Sequence, residues 1–164
     1  MRKFLFIAAV ALLGTLGLSA CHNNDQSQAS SAEAKATKPT SATDIKGWQA
    51  YLNQIVENNM GDITNTPYLY FVPAASDPAS NATLGRVQQQ VNETVAATVL
   101  PGNMVAIGGP SSATTANVIE TAFKTAATGS FKGVVVLFIG DKADEAAVKA
   151  AVAPSGATFK FAQM

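Results

Sequence analysis

Charged residues, cysteine and histidine are all scarce in this chain. Lys, Arg, Asp and Glu make up only 13% of the 164 residues, the formal net charge is zero, and there is one cysteine and one histidine. So few basic residues form no positive stripe that could follow a phosphate backbone, and we therefore expect no nucleic-acid partner. A single thiol can form neither an internal disulfide nor a cysteine-based metal cage. The composition thus predicts no cofactor and no metal.

Apolar residues, in contrast, are plentiful and unevenly distributed. They make up 48% of the chain, which is typical of a globular protein with a substantial core. A chain of this length suits one domain better than two. Composition divides it into a leader at residues 1–20, a polar segment at residues 21–42 and a globular domain at residues 43–164.

The leader has the layout of a secretory signal. Arg2 and Lys3 precede an apolar run from Phe4 to Leu13, and small residues follow. Glycine, threonine and serine dilute the second half, so the segment is marginal as a permanent membrane span. An ordinary secretory leader and an uncleaved anchor are the alternatives. Loss of the leader would leave nine of the eleven basic side chains against eleven acidic ones, a net charge of −2.

The leader ends in the tetrapeptide Leu18-Ser19-Ala20-Cys21. All four positions resemble the lipobox of bacterial lipoproteins. The resemblance implies that Cys21 receives a diacylglycerol thioether, that the leader is cut before Cys21, and that the new amino group is often acylated as well. Each buried methylene contributes about 0.8 kcal/mol, so two or three acyl chains anchor a protein firmly. In that family an aspartate after the cysteine favours the inner membrane. Here the residue is His22, so we expect the outer membrane, facing the periplasm.

The polar segment after Cys21 is expected to be a flexible tether. Residues 22–42 contain no Leu, Ile, Val or aromatic residue, so they cannot bury enough surface to offset the entropy of ordering. Such a linker spans about 25 Å on average and roughly 70 Å when fully extended. His22 lies in this tether with no fixed neighbour, so it is not expected to bind metal or act as a base.

From residue 44 onward, patterns typical of helices alternate with patterns typical of strands. Apolar residues at spacings of three and four predict four helices, with apolar positions at Ile45, Trp48, Leu52, Ile55, Val56 and Met60; Leu84, Val87, Val91, Val95 and Val99; Val118, Ile119, Ala122, Phe123 and Ala126; and Ala147, Val148, Ala151 and Val152. Short apolar runs predict four strands, at residues 68–72, 104–107, 134–139 and 158–161. The order predicts a single three-layer α/β domain with a four-stranded, mostly parallel sheet, preceded by a helix and the disordered tether.

Details of the pattern predict how these elements begin and where they lie. Thr43 or Asp44 is expected to cap the first helix and Asp141 the last. The stretch at residues 74–83 is expected to be a loop with Asp77 as a turn former. The last strand alternates in polarity, which favours a sheet edge, where Lys160 would discourage pairing with other strands.

A glycine- and hydroxyl-rich turn follows the second predicted strand. Ligands of open α/β sheets bind outside the carboxyl ends of the strands, and backbone amides at a helix start can bind an anion. The candidate ligand-binding residues are therefore Gly108, Gly109, Ser111, Ser112 and Thr114, together with Asp141 after the third strand. The turn matches neither common phosphate-binding motif, and Pro110 lacks an N–H. A tight turn with helix caps is the simpler interpretation.

No catalytic set stands out beside this turn. Residues 44–164 contain no histidine, so a serine nucleophile would depend on pairing with Lys142. Asp141 and Asp144 could act as acid–base or metal-binding carboxylates, although helix capping accounts for both. We therefore expect a non-enzymatic envelope lipoprotein whose domain binds another envelope protein, as an accessory subunit or an inhibitor. A small-ligand or anion-binding lipoprotein that uses residues 108–115 is the alternative, and a hydrolase or transferase comes third.

Overall fold

Helices and strands form close to the positions that the apolar patterns indicate. In a computed structural model, which describes residues 36–97 and 99–164, four α-helices alternate with four strands. The helices are α1 (Ile45–Asn59), α2 (Pro78–Ala96), α3 (Ser112–Phe123) and α4 (Lys142–Val152), and the strands are β1 (Tyr68–Phe71), β2 (Met104–Gly108), β3 (Val135–Gly140) and β4 (Thr158–Gln163). The leader, Cys21 and most of the tether lie outside the described residues.

The four strands form one sheet in the order β1-β2-β3-β4, and all neighbours are parallel. Each right-handed crossover moves one strand along in the same direction, which places its helix on the same face every time. Helices α2, α3 and α4 therefore cover one face, and α1 lies on the other. The predicted three-layer α/β architecture with a four-stranded parallel sheet is confirmed.

Two apolar clusters hold the three layers together. Side chains from α2, α3 and α4 pack against Val105, Ile107, Val136 and Phe138 on one face of the sheet. On the other face, α1 packs against the alternate positions, Met104, Ala106, Leu137 and Ile139. The two central strands are thus buried on both faces, which explains why their sequences are almost continuously apolar.

Helix α1 is fixed at its start by two hydrogen bonds. The carboxylate of Asp44 accepts from the Gly47 amide at 3.0 Å, and Trp48 Nε1 donates to the Ser41 carbonyl at 3.0 Å. Trp48 and Leu52 are buried, as predicted. Ile45 was expected on the same buried stripe, and this was wrong: 51% of it is exposed, because it precedes the turn that faces the sheet.

Helix α2 begins earlier than predicted. The expected loop at residues 74–83 is half helix, because Asp77 caps a helix that starts at Pro78. Its carboxylate accepts from the amides of Ala79 and Ser80, both at 2.9 Å, while the Ser80 hydroxyl accepts from the Asp77 amide. Proline at the first helical position fits such a start. Asp77 is therefore a helix cap and not a simple turn former.

Strand β4 forms one edge of the sheet, as predicted. The Lys160 side chain does not guard that edge as expected. Its ammonium donates to the Asn59 carbonyl at 2.9 Å, at the carboxyl end of α1, where a positive charge complements the helix dipole. The contact joins residues that lie far apart in the sequence and secures α1 on that face of the sheet.

Candidate functional site

The carboxyl ends of the four strands form the edge of the sheet where a ligand would be expected. In open α/β sheets the usual binding crevice lies where strand order reverses and neighbouring helices go to opposite faces. Here the order runs without reversal and all three crossover helices share a face. Strand order therefore opens no such crevice in the described part of the chain. Any binding site at this edge would have to be formed by the loops that follow the strands.

The two glycines of the predicted ligand turn are explained by close packing. A Cβ atom on Gly109 would lie 1.9 Å from the Val72 carbonyl oxygen, and one on Gly108 would lie 2.8 Å from a methyl carbon of Leu52. Both residues are buried. Space beside β1 and α1 therefore requires glycine here, independently of any ligand.

The hydroxyls of the turn are engaged with neighbouring protein groups. Ser111 caps α3, since its Oγ accepts from the Thr114 amide at 3.3 Å and lies 2.8 Å from the Thr114 hydroxyl. Ser112 is 5% exposed. Its hydroxyl donates to Asp144 Oδ2 at 2.5 Å and accepts from the Asp141 amide at 2.7 Å. Ser112 thus ties the start of α3 to the start of α4.

Asp141 lies beside this turn, as the sequence suggested, because its amide reaches Ser112. It occupies the cap position of α4, but its exposed carboxylate makes no capping hydrogen bond, so the predicted side-chain cap was wrong. A free carboxylate here is unfavourable to an anion.

The proposed serine–lysine pair is not brought together. Lys142 forms an ion pair with Glu145, and its ammonium lies 5.4 Å from the ring centre of Phe161. Ser112, the buried candidate nucleophile, hydrogen-bonds to Asp144 and the Asp141 amide instead. The geometry gives neither Ser112 nor Lys142 the partner that this mechanism needs.

A groove that the sequence did not indicate lies at the same edge, between the start of α1 and the loop from β1 to α2. It has a volume of about 440 Å³. Its walls combine apolar side chains with short polar ones, among them Thr43, Ile45, Phe71, Ser76 and Asp77. The Asp77-Pro78 pair was the sequence signal that could have indicated this groove, since a helix that starts at Pro78 brings its amino terminus close to α1.

Asp77, at the rim of this groove, has a lowered pKa. The pKa of this carboxyl lies below its ordinary value of 3.8, and the largest cause is the hydrogen bond from the Ser80 backbone amide. Hydrogen bonds from the Ser80 hydroxyl, the Ala79 amide and the Ser76 hydroxyl lower the pKa further. Because the pKa is lower in the folded chain than in the unfolded one, ionised Asp77 stabilises the fold above pH 3.8. That stabilisation is lost as the pH falls through the lower, folded value.

We expect Asp77→Ala to reduce stability at pH 6 and to matter progressively less in more acid solution, once the pH has passed below about 3.8. Urea unfolding midpoints of both proteins across this range provide the measurement. Asp77→Asn is the matched control, because its amide oxygen still accepts the capping bonds but does not titrate. A difference between parent and Asp77→Ala that stays constant down to pH 2.5 would contradict the prediction.

Comparison of the chain with protein-family models, with curated proteins and with solved structures finds no match. Among the described residues, no three His, Cys, Asp or Glu side chains are grouped so that they could hold a metal ion. None of the described helices combines the length and the apolar character that a membrane crossing requires.

Proposed function

We propose that this protein is an envelope lipoprotein, anchored through lipid on Cys21, whose α/β domain is a protein-interaction module and not an enzyme. The anchor rests on the Leu18-Ser19-Ala20-Cys21 tetrapeptide after a leader with two basic residues. The tether would allow the domain to work roughly 70 Å from the bilayer at full extension. The residue after the cysteine, His22, favours the outer membrane on its periplasmic side.

The observation that carries the binding role is that the Ser111 and Ser112 hydroxyls, which follow the carboxyl end of β2, already have hydrogen-bond partners within the protein. Ser111 and Ser112 hydrogen-bond to the protein's own backbone and side chains, so these groups hold α3 and α4 in place. At the same edge, half of the Ile45 side chain is exposed beside a groove with mixed apolar and polar walls. A fixed surface that combines exposed apolar area with polar groups at its rim is typical of protein-binding sites.

The anchor is tested by Cys21→Ser in the full chain expressed in a Gram-negative host. We expect the parent protein to be recovered in the outer-membrane fraction, with an intact mass that includes acyl chains on a residue-21 start. The variant should keep its leader or leave the membrane fraction. An unmodified parent polypeptide with another amino terminus would contradict the anchor.

A second substitution tests the expected sorting without affecting lipidation. His22→Asp should move the acylated protein to the inner membrane, while His22→Ala should leave it in the outer membrane. Equal distribution of the two variants would contradict the assignment to the outer membrane and leave the lipid anchor itself intact.

The interaction role is tested by photo-crosslinking in intact cells. A crosslinking residue at Ile45 should trap one protein reproducibly, because this side chain is exposed at the groove. The same residue at Ala146, an exposed position on α4, is the matched control and should not trap that protein. Equal products from both positions, or none from Ile45, would count against a partner at this groove.

The anion-binding alternative predicts a different result. Inorganic phosphate would raise the thermal midpoint of the parent, and the rise would disappear in the double variant Ser111→Ala and Ser112→Ala, each measured against its own phosphate-free midpoint. If the Ser111 and Ser112 hydroxyls serve only the fold, phosphate shifts both proteins equally or not at all.

A further inference from the structure

The groove between the start of α1 and the loop from β1 to α2 has a single charged side chain in its walls. Among the described residues that line it, only Asp77 is charged. Phe71, Pro73 and the half-exposed Ile45 supply apolar surface around that carboxylate. In such a pocket the apolar area holds a ligand, and the few polar groups fix its orientation and identity. The carboxylate of Asp77 therefore decides what the groove can accept.

The donors on the α2 side of the groove are already used within the protein. The Ser80 hydroxyl donates to the Asp77 carbonyl at 2.9 Å, and the Thr83 hydroxyl donates to the Ala79 carbonyl at 3.0 Å. The amides of Ala79 and Ser80 both donate to Asp77 Oδ1 at 2.9 Å. An anion would find no free donor among these groups, and it would meet a carboxylate of its own sign.

The other carboxylate oxygen of Asp77 can still accept hydrogen bonds. Within the described residues, Oδ2 receives one bond, from the Ser76 hydroxyl at 3.4 Å, which is long for a hydroxyl donor. An ionised carboxylate has room for about four bonds, and the lowered pKa keeps Asp77 ionised at neutral pH. No ion pair involves it in residues 36–97 and 99–164. A cationic donor is the group that complements this oxygen.

Neighbouring charges do not neutralise Asp77. At the start of α1, Asp44 and Lys46 carry opposite charges, so their contributions offset each other. On α2, Arg86 donates to the Thr83 hydroxyl at 3.1 Å. Thr83 lies six residues along the helix from Asp77, or about 9 Å at the rise of an α-helix. Exposed charges farther apart than the Debye length, about 8 Å at physiological ionic strength, are largely screened from each other.

The loop that carries Asp77 is held in a fixed shape. Ala75, between two residues of the groove wall, has a φ of 55°, a left-handed conformation that is uncommon for any residue except glycine. Such strain persists only where the surroundings determine it, and it is concentrated at ligand sites. Buried Pro73 and the Asp77–Ser80 capping box fix the loop at its two ends. A carboxylate that is already in place loses little entropy on binding.

We propose that this groove binds a segment of the partner protein in which a lysine or arginine is flanked by apolar side chains. The cationic group would donate to Asp77 Oδ2, and its apolar neighbours would lie on Ile45 and Phe71. The tether of this chain does not match, because residues 22–42 contain lysine but no Leu, Ile, Val or aromatic residue. This inference rests on the proposed interaction role and adds the chemical class of the partner.

The first test removes the charge of Asp77 and keeps its shape. A photo-crosslinking residue at Ile45, in intact cells, is combined with Asp77→Asn, whose amide oxygen still accepts the capping bonds. We expect about fivefold less of the trapped protein, which corresponds to about 1 kcal/mol. Glu93→Gln removes an exposed charge at the other end of α2, and this matched control should leave the yield unchanged. A yield that Asp77→Asn does not lower, or an equal loss in both variants, would overturn the inference and leave the interaction role standing.

The second test identifies the trapped segment directly. Digestion with a protease that does not cut at lysine or arginine, followed by mass spectrometry, should give a crosslinked peptide in which one of these residues lies beside apolar ones. Changing that partner residue to glutamine should lower the yield about fivefold in the parent and have no further effect in Asp77→Asn. A segment without a basic residue, or a full further loss in Asp77→Asn, would refute the cationic specificity alone. Absence of any trapped protein at position 45 would contradict the interaction role as well.

Discussion

Gly109→Ala is expected to lower the free energy of unfolding by about 3 kcal/mol, at the upper end of the usual cost of overpacking. The new Cβ would lie 1.9 Å from the Val72 carbonyl oxygen and 2.9 Å from its carbon. Both are backbone atoms, which cannot rotate away as a side chain can. Relief requires the end of β1 to move from β2, and this would break the bond from the Val72 amide to the Gly108 carbonyl.

Chemical unfolding of the full chain at neutral pH measures this effect. Gly85→Ala is the matched control, since Gly85 is exposed inside α2 and an added Cβ meets nothing within 4 Å. It should raise stability by about 0.5–1 kcal/mol, because alanine favours the helical backbone. If Gly109→Ala were as stable as the parent, the close approach of β1 and β2 at this turn would be wrong. The glycine would then be free for a role in ligand binding.

The apolar pattern of the sequence predicts which helices and strands form better than it predicts where each of them begins. Helices and strands were predictable because β2 and β3 are apolar throughout and the helices carry apolar residues at regular spacing. The start of α2 was missed because its first turn is polar. Asp77 and Pro78 carried a local capping signal that could have corrected it.

Contacts between distant parts of the chain leave no comparable pattern. From the sequence, Lys160 is expected to discourage strand pairing at the sheet edge, because its neighbours in sequence are strand residues. In the fold, its ammonium donates to the carbonyl of Asn59 instead. The unreversed strand order is equally hidden, since several orders satisfy the same alternation of helices and strands. That order decides the site, because in residues 36–97 and 99–164 it places three helices on one face and leaves the strand ends without the usual crevice.

The structure has a turn between β2 and α3, where the sequence predicts one. The hydrogen-bond partners of its hydroxyl groups could not be predicted from the sequence. Ser111 and Ser112 lie at the start of α3, and from the sequence alone either hydroxyl could cap the helix or meet a ligand. Only folding brings Asp144 to Ser112. Which serine is committed to the fold is thus a tertiary property.

Ser112→Ala should lower the free energy of unfolding by about 2 kcal/mol, because the buried Ser112 hydroxyl makes two part-buried hydrogen bonds, each worth about 1 kcal/mol. The Asp144 carboxylate would lose the hydroxyl donor at 2.5 Å, and the Asp141 amide would lose its acceptor at 2.7 Å. At 5% exposure, water has little access to replace the missing oxygen. Ser111→Ala, a neighbouring helix cap that is more exposed, should cost about 1 kcal/mol.

A double-mutant cycle with Asp144→Ala separates the bond between the two side chains from the loss of each alone. Because the residues share one hydrogen bond, the double variant should be more stable than the sum of the single effects predicts, by about 1 kcal/mol. Ser111→Ala combined with Asp144→Ala should be additive within about 0.5 kcal/mol, because those residues share no hydrogen bond. Full additivity for Ser112 and Asp144, with a Ser112→Ala protein as stable as the parent, would mean that this hydroxyl is not needed by the fold. The hydroxyl of Ser112, which in the structure holds α3 against α4, would then be available to a ligand. That result would favour the anion-binding alternative.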